Sequence, residues 1–250
     1  MLKKNKLIIA NWKMYLGYQE SIDAARALVA HEFENVRVVL CPSFTALAAV
    51  EGVTRTSRIG LGAQDAFFED SGAYTGEISP AQLREIGVSY VIVGHSERRQ
   101  YQGETDEVIR KKLRNVLEEG MIPIVCVGET FEQRQEKQKD SVLIRQMHRA
   151  FEGIELGSAE QVIIAYEPVW VIGSGQAVDP QEAEHTNAVL KQVIVDLYPS
   201  KILQNFSFIY GGSVSARSVK SFCSLDNIDG VLVGGASIRR DDFISLIQNA

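Results

Sequence analysis

The stretch Gln161-Val162-Ile163-Ile164-Ala165-Tyr166-Glu167-Pro168-Val169-Trp170-Val171-Ile172-Gly173-Ser174-Gly175 sets a strand, a carboxylate and a cover one after another. Val162 to Ala165 form a short apolar run rich in β-branched residues, the pattern of a strand buried on both faces. Glu167 stands where that strand ends. Pro168 cannot donate to a sheet ladder, so the strand stops there. Val169 to Ile172 are too apolar for an ordinary solvated loop, and Gly173-Ser174-Gly175 lets the segment move or lets a ligand approach its backbone. Asp179-Pro180 then opens a helix with an N-cap and a first-turn proline. A carboxylate at a strand end beneath an apolar cover suits a base, because closure removes the water around it.

Outward from this unit the same alternation repeats. The apolar runs are Leu7 to Ala10, Val36 to Leu40, Ile59 to Ala63, Tyr90 to Val93, Ile122 to Val127, Val162 to Ala165, Phe206 to Tyr210 and Val231 to Val233. Helical periodicity falls between them, as in Ser21 to Glu32, Pro80 to Ile86, Asp106 to Glu119, Asp140 to Phe151, Pro180 to Leu197 and Ala216 to Phe222, with Asp242 to Gln248 last. Strands alternating with helices predict βαβ units and a parallel sheet. The chain has 250 residues, the size of an α/β (β/α)₈ barrel. A doubly wound open sheet is the alternative, but that fold usually carries a Gly-rich turn after its first strand, and here the first strand ends in Asn11-Trp12-Lys13-Met14. No linker or low-complexity tract appears, so residues 1–250 are expected to form one domain.

The chain is 45% hydrophobic and 23% charged with a net charge of −6, ordinary for a globular protein with a sizeable core. That charge argues against nucleic acid or an anionic membrane as a partner. An anionic substrate then needs local donors. Cys41, Cys126 and Cys223 form no CxxC pair and no zinc spacing, and buried free thiols are expected. The four histidines, His31, His95, His148 and His185, are scattered, so no metal site and no cofactor is expected. Met1 to Asn5 is polar and no apolar run is long enough to span a bilayer, so a cytoplasmic location is expected.

A barrel places its active-site groups just after its strands. The first strand gives Asn11 and Lys13, the lysine being either a snorkelling surface residue or a fixed cation for an anionic substrate. After the third come Gln64, Asp65 and the long Phe67 to Thr75 segment, whose apolarity fits either a partner surface or a loop folded back on its own barrel. The fourth gives Gly94-His95-Ser96-Glu97-Arg98-Arg99. A helix start at His95 disfavours the imidazolium, and a neutral ring can donate to a substrate oxygen. Glu97 can neutralise Lys13 or a nearby arginine. After the fifth strand, Glu129 is expected to pair with Arg98 or Arg99. Gly211-Gly212-Ser213-Val214 and Gly234-Gly235-Ala236-Ser237 follow the seventh and eighth, where many barrels build a phosphate site from backbone N–H groups. A carboxylate base with a neutral and a cationic donor suits proton abstraction next to a carbonyl, as in aldose–ketose isomerisation of a small phosphorylated sugar.

Together the motifs Ala10 to Met14, Gly94 to Arg99, Ala165 to Gly175, Tyr210 to Val214 and Gly230 to Ser237 closely resemble those of the triosephosphate isomerase family, over nearly the whole chain. That family is itself a standard example of a glutamate base paired with a neutral histidine. The resemblance implies interconversion of D-glyceraldehyde 3-phosphate and dihydroxyacetone phosphate in glycolysis and gluconeogenesis. It implies Glu167 as the base, His95 as the group polarising the carbonyl, Lys13 as the stabilising cation and Asn11 as a substrate contact. Gly173, Ser213, Gly234 and Gly235 would hold the phosphate, Glu97 would order the site, and Pro168 to Ala177 would close over it. It also implies a homodimer in which Thr75, on the Phe67 to Thr75 loop, reaches the other subunit near Asn11 and His95. Tyr15, Asp65, Val171, Ser174 and Gln176 depart from the usual family residues. Asp65, if buried at the interface, would weaken association when ionised. The competing readings are another phosphate-binding barrel isomerase, and a non-catalytic phosphate-binding barrel or moonlighting surface-binding protein.

Overall fold

The structure is a computed structural model and describes residues 5–157, 161–174 and 176–250. Eight strands, β1 Lys6–Asn11, β2 Val36–Cys41, β3 Gly60–Ala63, β4 Tyr90–Val93, β5 Ile122–Val127, β6 Val162–Tyr166, β7 Phe206–Tyr210 and β8 Gly230–Val233, pair in sequence order as a closed barrel. Every pairing is parallel, including β8 with β1, where Leu7 stands opposite Gly230 and Ala10 opposite Val233. The expected (β/α)₈ barrel is therefore the observed one, and the open-sheet alternative is not.

The strands read as apolar runs because both faces are buried. Leu7, Ile9, Val39, Cys41, Tyr90, Ile92, Ile124, Cys126, Ile163, Ala165, Ile209 and Leu232 fill the interior. Their alternates, such as Ile8, Val38, Val125, Ile164 and Val231, face the helices. On β3 the inward positions are glycines. A Cβ on Gly60 would lie 2.9 Å from the Tyr90 ring, and one on Gly62 would lie 2.5 Å from Cys41 Sγ, so the large Tyr90 occupies room those glycines leave. Cys41, Cys126 and Cys223 are buried free thiols, as the sequence suggested.

The helices are α1 Tyr18–Val29, α2 Leu47–Thr54, α3 Pro80–Ile86, α4 Ser96–Tyr101, α5 Asp106–Glu118, α6 Phe131–Gln135, α7 Lys139–Phe151, α8 Pro180–Leu197, α9 Val219–Cys223 and α10 Arg240–Gln248. Their starts carry the expected chemistry. Ser79 and Gln82 form a capping box ahead of Pro80, and Asp179 caps α8 just before Pro180. Among the described residues no helix is long and apolar enough to cross a membrane.

Candidate active site

The ends of β1, β4, β6, β7 and β8 converge on one cavity of about 110 Å³. Asn11, Lys13, His95, Glu167, Gly173, Ser213, Gly234 and Gly235 all line it. Every one of these was singled out in the sequence. Glu97 stands behind them.

Glu167 follows β6 directly and is only 1% exposed. Its amide donates to Val127 O at 2.7 Å, continuing the β5–β6 ladder past the end of the strand. Two glycines leave room for it. A Cβ on Gly128 would fall 1.7 Å from Glu167 O, and one on Gly211 would fall 2.8 Å from Glu167 Cγ. No larger residue fits at Gly128 without moving the backbone of the base. The Ser96 amide donates to Glu167 Oε2 at 3.1 Å. The other oxygen, Oε1, is buried with no hydrogen-bond partner among the described residues. It lies 3.1 Å from His95 Nε2. One oxygen is thus anchored and the other faces the imidazole. The Cys126 thiol is pushed well up, first by burial and then by the Glu167 charge, so it remains neutral beside the base.

His95 is the N-cap of α4 and is buried. Gly94 turns into it at φ +73°, where a Cβ would press on Ile109 at 2.8 Å. The Glu97 amide donates to His95 Nδ1 at 3.2 Å. A ring nitrogen that accepts a backbone N–H carries no proton, so the proton is assigned to Nε2, the nitrogen facing Glu167. Nδ1 thus takes a backbone N–H, and Nε2 is the nitrogen turned to the cavity. Lys13 Nζ meets Glu97 Oε1 at 2.6 Å, as anticipated, and its Cε lies 3.3 Å from where a Gly234 Cβ would stand. The cation is thereby held between the carboxylate and the glycine loop.

Ile172, Gly212, Val214 and Leu232 also line the cavity. Gly212 and Val214 belong to the glycine loop after β7 and Ile172 to the cover, both read from the sequence; Leu232 as a wall of the site and the Ser96 amide were not. For Ser96 the signal was its position as the first residue of a helix whose N-terminal amides are free.

Over the site, a 3₁₀ turn spans Val169–Val171. Trp170 Nε1 and Tyr166 Oη both donate to Glu129 Oε1, at 3.0 and 3.2 Å, and the Arg134 guanidinium covers the Trp170 ring at 4.5 Å. Glu129 therefore does not pair with Arg98 or Arg99. It turns toward the cover after β6, with Arg134 3.7 Å away, and burial raises its pKa. Arg98 instead meets Asp65 and Glu104, and Arg99 meets Asp106, acids supplied by the segment after β3, the α4–α5 connection and the first turn of α5. In the cover, Val171 is buried, and Ser174 Oγ donates to Val171 O while accepting from the Gln176 amide. Gly175 lies outside the described residues.

Asp65 also departs from expectation. It is buried within its own chain, bonded by Lys112 Nζ at 2.7 and 2.8 Å and by Arg98 at 2.9 Å. The loop that follows it is different. Phe67 packs against the rings of Phe68 and Tyr74, while residues 69–77 are exposed.

A closed parallel barrel whose last two strands end in glycine loops, beside a buried carboxylate facing an imidazole, has the arrangement of a sugar-phosphate isomerase. The triosephosphate isomerase family profile matches residues 6–250. Triosephosphate isomerase of Dictyoglomus thermophilum is 39% identical over 98% of this chain and 100% of its own length. That of Alkaliphilus metalliredigens is 41% identical over 98% and 99%, and that of Chloroflexus aurantiacus 42% identical over 97% and 98%. The chain belongs to the triosephosphate isomerase family.

The Asp65 carboxyl is pushed up to about 6, with burial outweighing Lys112 and Arg98. A folded pKa above the unfolded 3.8 means the folded chain binds the extra proton. The stability this contributes is complete below about pH 4 and is lost as pH rises through 6, by a few kcal/mol at most. Asp65→Asn lacks this titration. In urea unfolding at pH 4, 5, 6 and 7, wild type should therefore lose stability relative to the variant as pH rises; a constant difference would contradict the assignment.

Proposed function

We propose that this chain interconverts D-glyceraldehyde 3-phosphate and dihydroxyacetone phosphate through an enediolate, with Glu167 as the base. The observation that carries the reading is Glu167 at the wall of the cavity, buried, with Oε2 held by the Ser96 amide and Oε1 3.1 Å from His95 Nε2. Glu167 removes a proton from the carbon next to the carbonyl. The electron pair moves to the carbonyl oxygen, where the His95 Nε2–H and the Lys13 ammonium stabilise the developing charge. The hydroxyl proton on the adjacent oxygen passes to the former carbonyl oxygen by way of His95 Nε2, and the protonated carboxyl returns its proton to the neighbouring carbon. Hydrogen moves within one molecule, so no oxidant or reductant is consumed. Asn11 contacts the substrate, and backbone amides at Gly173, Ser213, Gly234 and Gly235 take the phosphate, supplying locally the donors that a net charge of −6 does not. Glu97 orders Lys13. The segment from Pro168 to Ala177 closes over the substrate and keeps water from the enediolate.

We further infer one domain over residues 1–250, a homodimer and a cytoplasmic location. Pairing of β8 with β1 supports the single domain. The dimer is supported by Met14, Tyr15, Phe44, Tyr74 and Tyr101, large apolar side chains left exposed on the loops and short helix after β1 to β4. Thr75, exposed on the same set of loops, would reach the other subunit.

Glu167→Gln keeps the size and removes the base. It should lower kcat by roughly 10²–10⁴ or more, the worth of a general base; turnover near the wild-type rate would overturn the assignment. Sedimentation should give a particle of twice the 27.7 kDa protomer, and a protomer-sized particle at micromolar concentration would contradict the dimer.

A further inference from the structure

Lys13 is one of three non-glycine residues with positive φ among the described residues, at +50°. A side chain disfavours that region, and a residue stays there only where its surroundings over-determine it. Both backbone groups of Lys13 are held. Its amide donates to Asn11 Oδ1 at 3.1 Å. Its carbonyl accepts from Gln64 Nε2 at 2.8 Å, and no other donor to that carbonyl appears among the described residues. The same Gln64 nitrogen donates to Cys41 O at 3.0 Å, an oxygen that also accepts the Trp12 amide at 3.1 Å. One side-chain amide at the end of β3 therefore ties the segment after β1 to the end of β2.

The residue type matters. A carboxamide offers two N–H donors without charge. Lysine or arginine would set a second cation beside Lys13, and glutamate would face two carbonyl oxygens with no donor. Gln64 is also absent from the cavity wall that Lys13 lines, so any effect it has on the reaction runs through another residue. We propose that Gln64 is a positioning residue, holding the Lys13 backbone in the left-handed conformation that aims its ammonium between Glu97 and Gly234. The proposal rests on the role given to Lys13 above.

The test is a double-mutant cycle. Gln64→Met and Gln64→Glu are each made in wild type and in Lys13→Arg, and kcat and KM are measured for D-glyceraldehyde 3-phosphate. Both Gln64 variants should lower kcat/KM roughly 10- to 100-fold in wild type, as sub-ångström to ångström misplacement of a catalytic group does. In the Lys13→Arg background, where the positioned group is already displaced, the same changes should cost less than about threefold. Equal losses in both backgrounds would show a general structural role and overturn the proposal, as would unimpaired Gln64 variants beside an impaired Lys13→Arg chain. An unimpaired Lys13→Arg chain would instead overturn the reading of Lys13 itself. Should Gln64→Met fail to fold, the polar and nearly isosteric Gln64→Glu carries the test. In its crystal structure Lys13 should leave the left-handed region, and a φ still near +50° would overturn the proposal.

Discussion

The barrel closes where β8 lies against β1, and that contact depends on Gly230. A Cβ there would stand 2.0 Å from Leu7 O and 2.7 Å from Leu7 N. No side chain is compatible with that approach, so a strand edge that would otherwise stay open is sealed by the absence of one. The consequences run upward. Closure continues to Ala10 opposite Val233, which sets Asn11 and Lys13 beside Gly234 and Gly235. The cation and the glycine loops come from opposite ends of the chain and meet only because the sheet is closed. Gly128 and Gly211 do for Glu167 what Gly230 does for the seam: they remove side chains so that a neighbouring backbone or carboxylate can occupy a fixed place.

Around that place the charges are arranged in short local pairs. Lys13 meets Glu97, Arg99 meets Asp106, and the half-buried Arg98 joins the buried side chains of Lys112, Asp65 and Glu104 in one group. Glu167 differs. It has a backbone amide on one oxygen and the imidazole edge near the other. A carboxylate so placed exchanges little hydrogen bonding when it takes up a proton, which suits the proposed base. On the ring beside it the α4 amide of Glu97 occupies Nδ1, so Nε2 is the nitrogen turned to the carboxylate.

Much of this was legible in the sequence. Strands buried on both faces read as continuous apolar runs, and all eight fall within a residue or so of the observed bounds. Residues at strand ends were legible for the same reason, since in a closed parallel barrel they must share one rim. Short helices were harder. Leu47–Thr54 is apolar around most of its circumference, and Phe131–Gln135 has no buried residue, so neither shows a clear stripe. Ion-pair partners were hidden for several of the charged residues. Glu129 follows β5 as Arg98 and Arg99 follow β4, yet its side chain turns the other way, to Trp170 and Tyr166. Asp65 finds Lys112 across 47 positions of sequence. The complement between Tyr90 and the glycines of β3 was equally hidden, because it joins side-chain volume to side-chain absence across neighbouring strands.

The proposed role of Glu167 requires proton transfer between adjacent carbons through an enediolate. Isomerisation of D-glyceraldehyde 3-phosphate in D₂O, followed by proton NMR of the product, tests it most directly. The proton held on Glu167 can exchange with solvent before it is returned, so dihydroxyacetone phosphate should carry deuterium at the carbon that received it. Product free of deuterium, together with a Glu167→Gln chain that turns over at the wild-type rate, would mean that the hydrogen moves directly, as a hydride, with no carboxylate base.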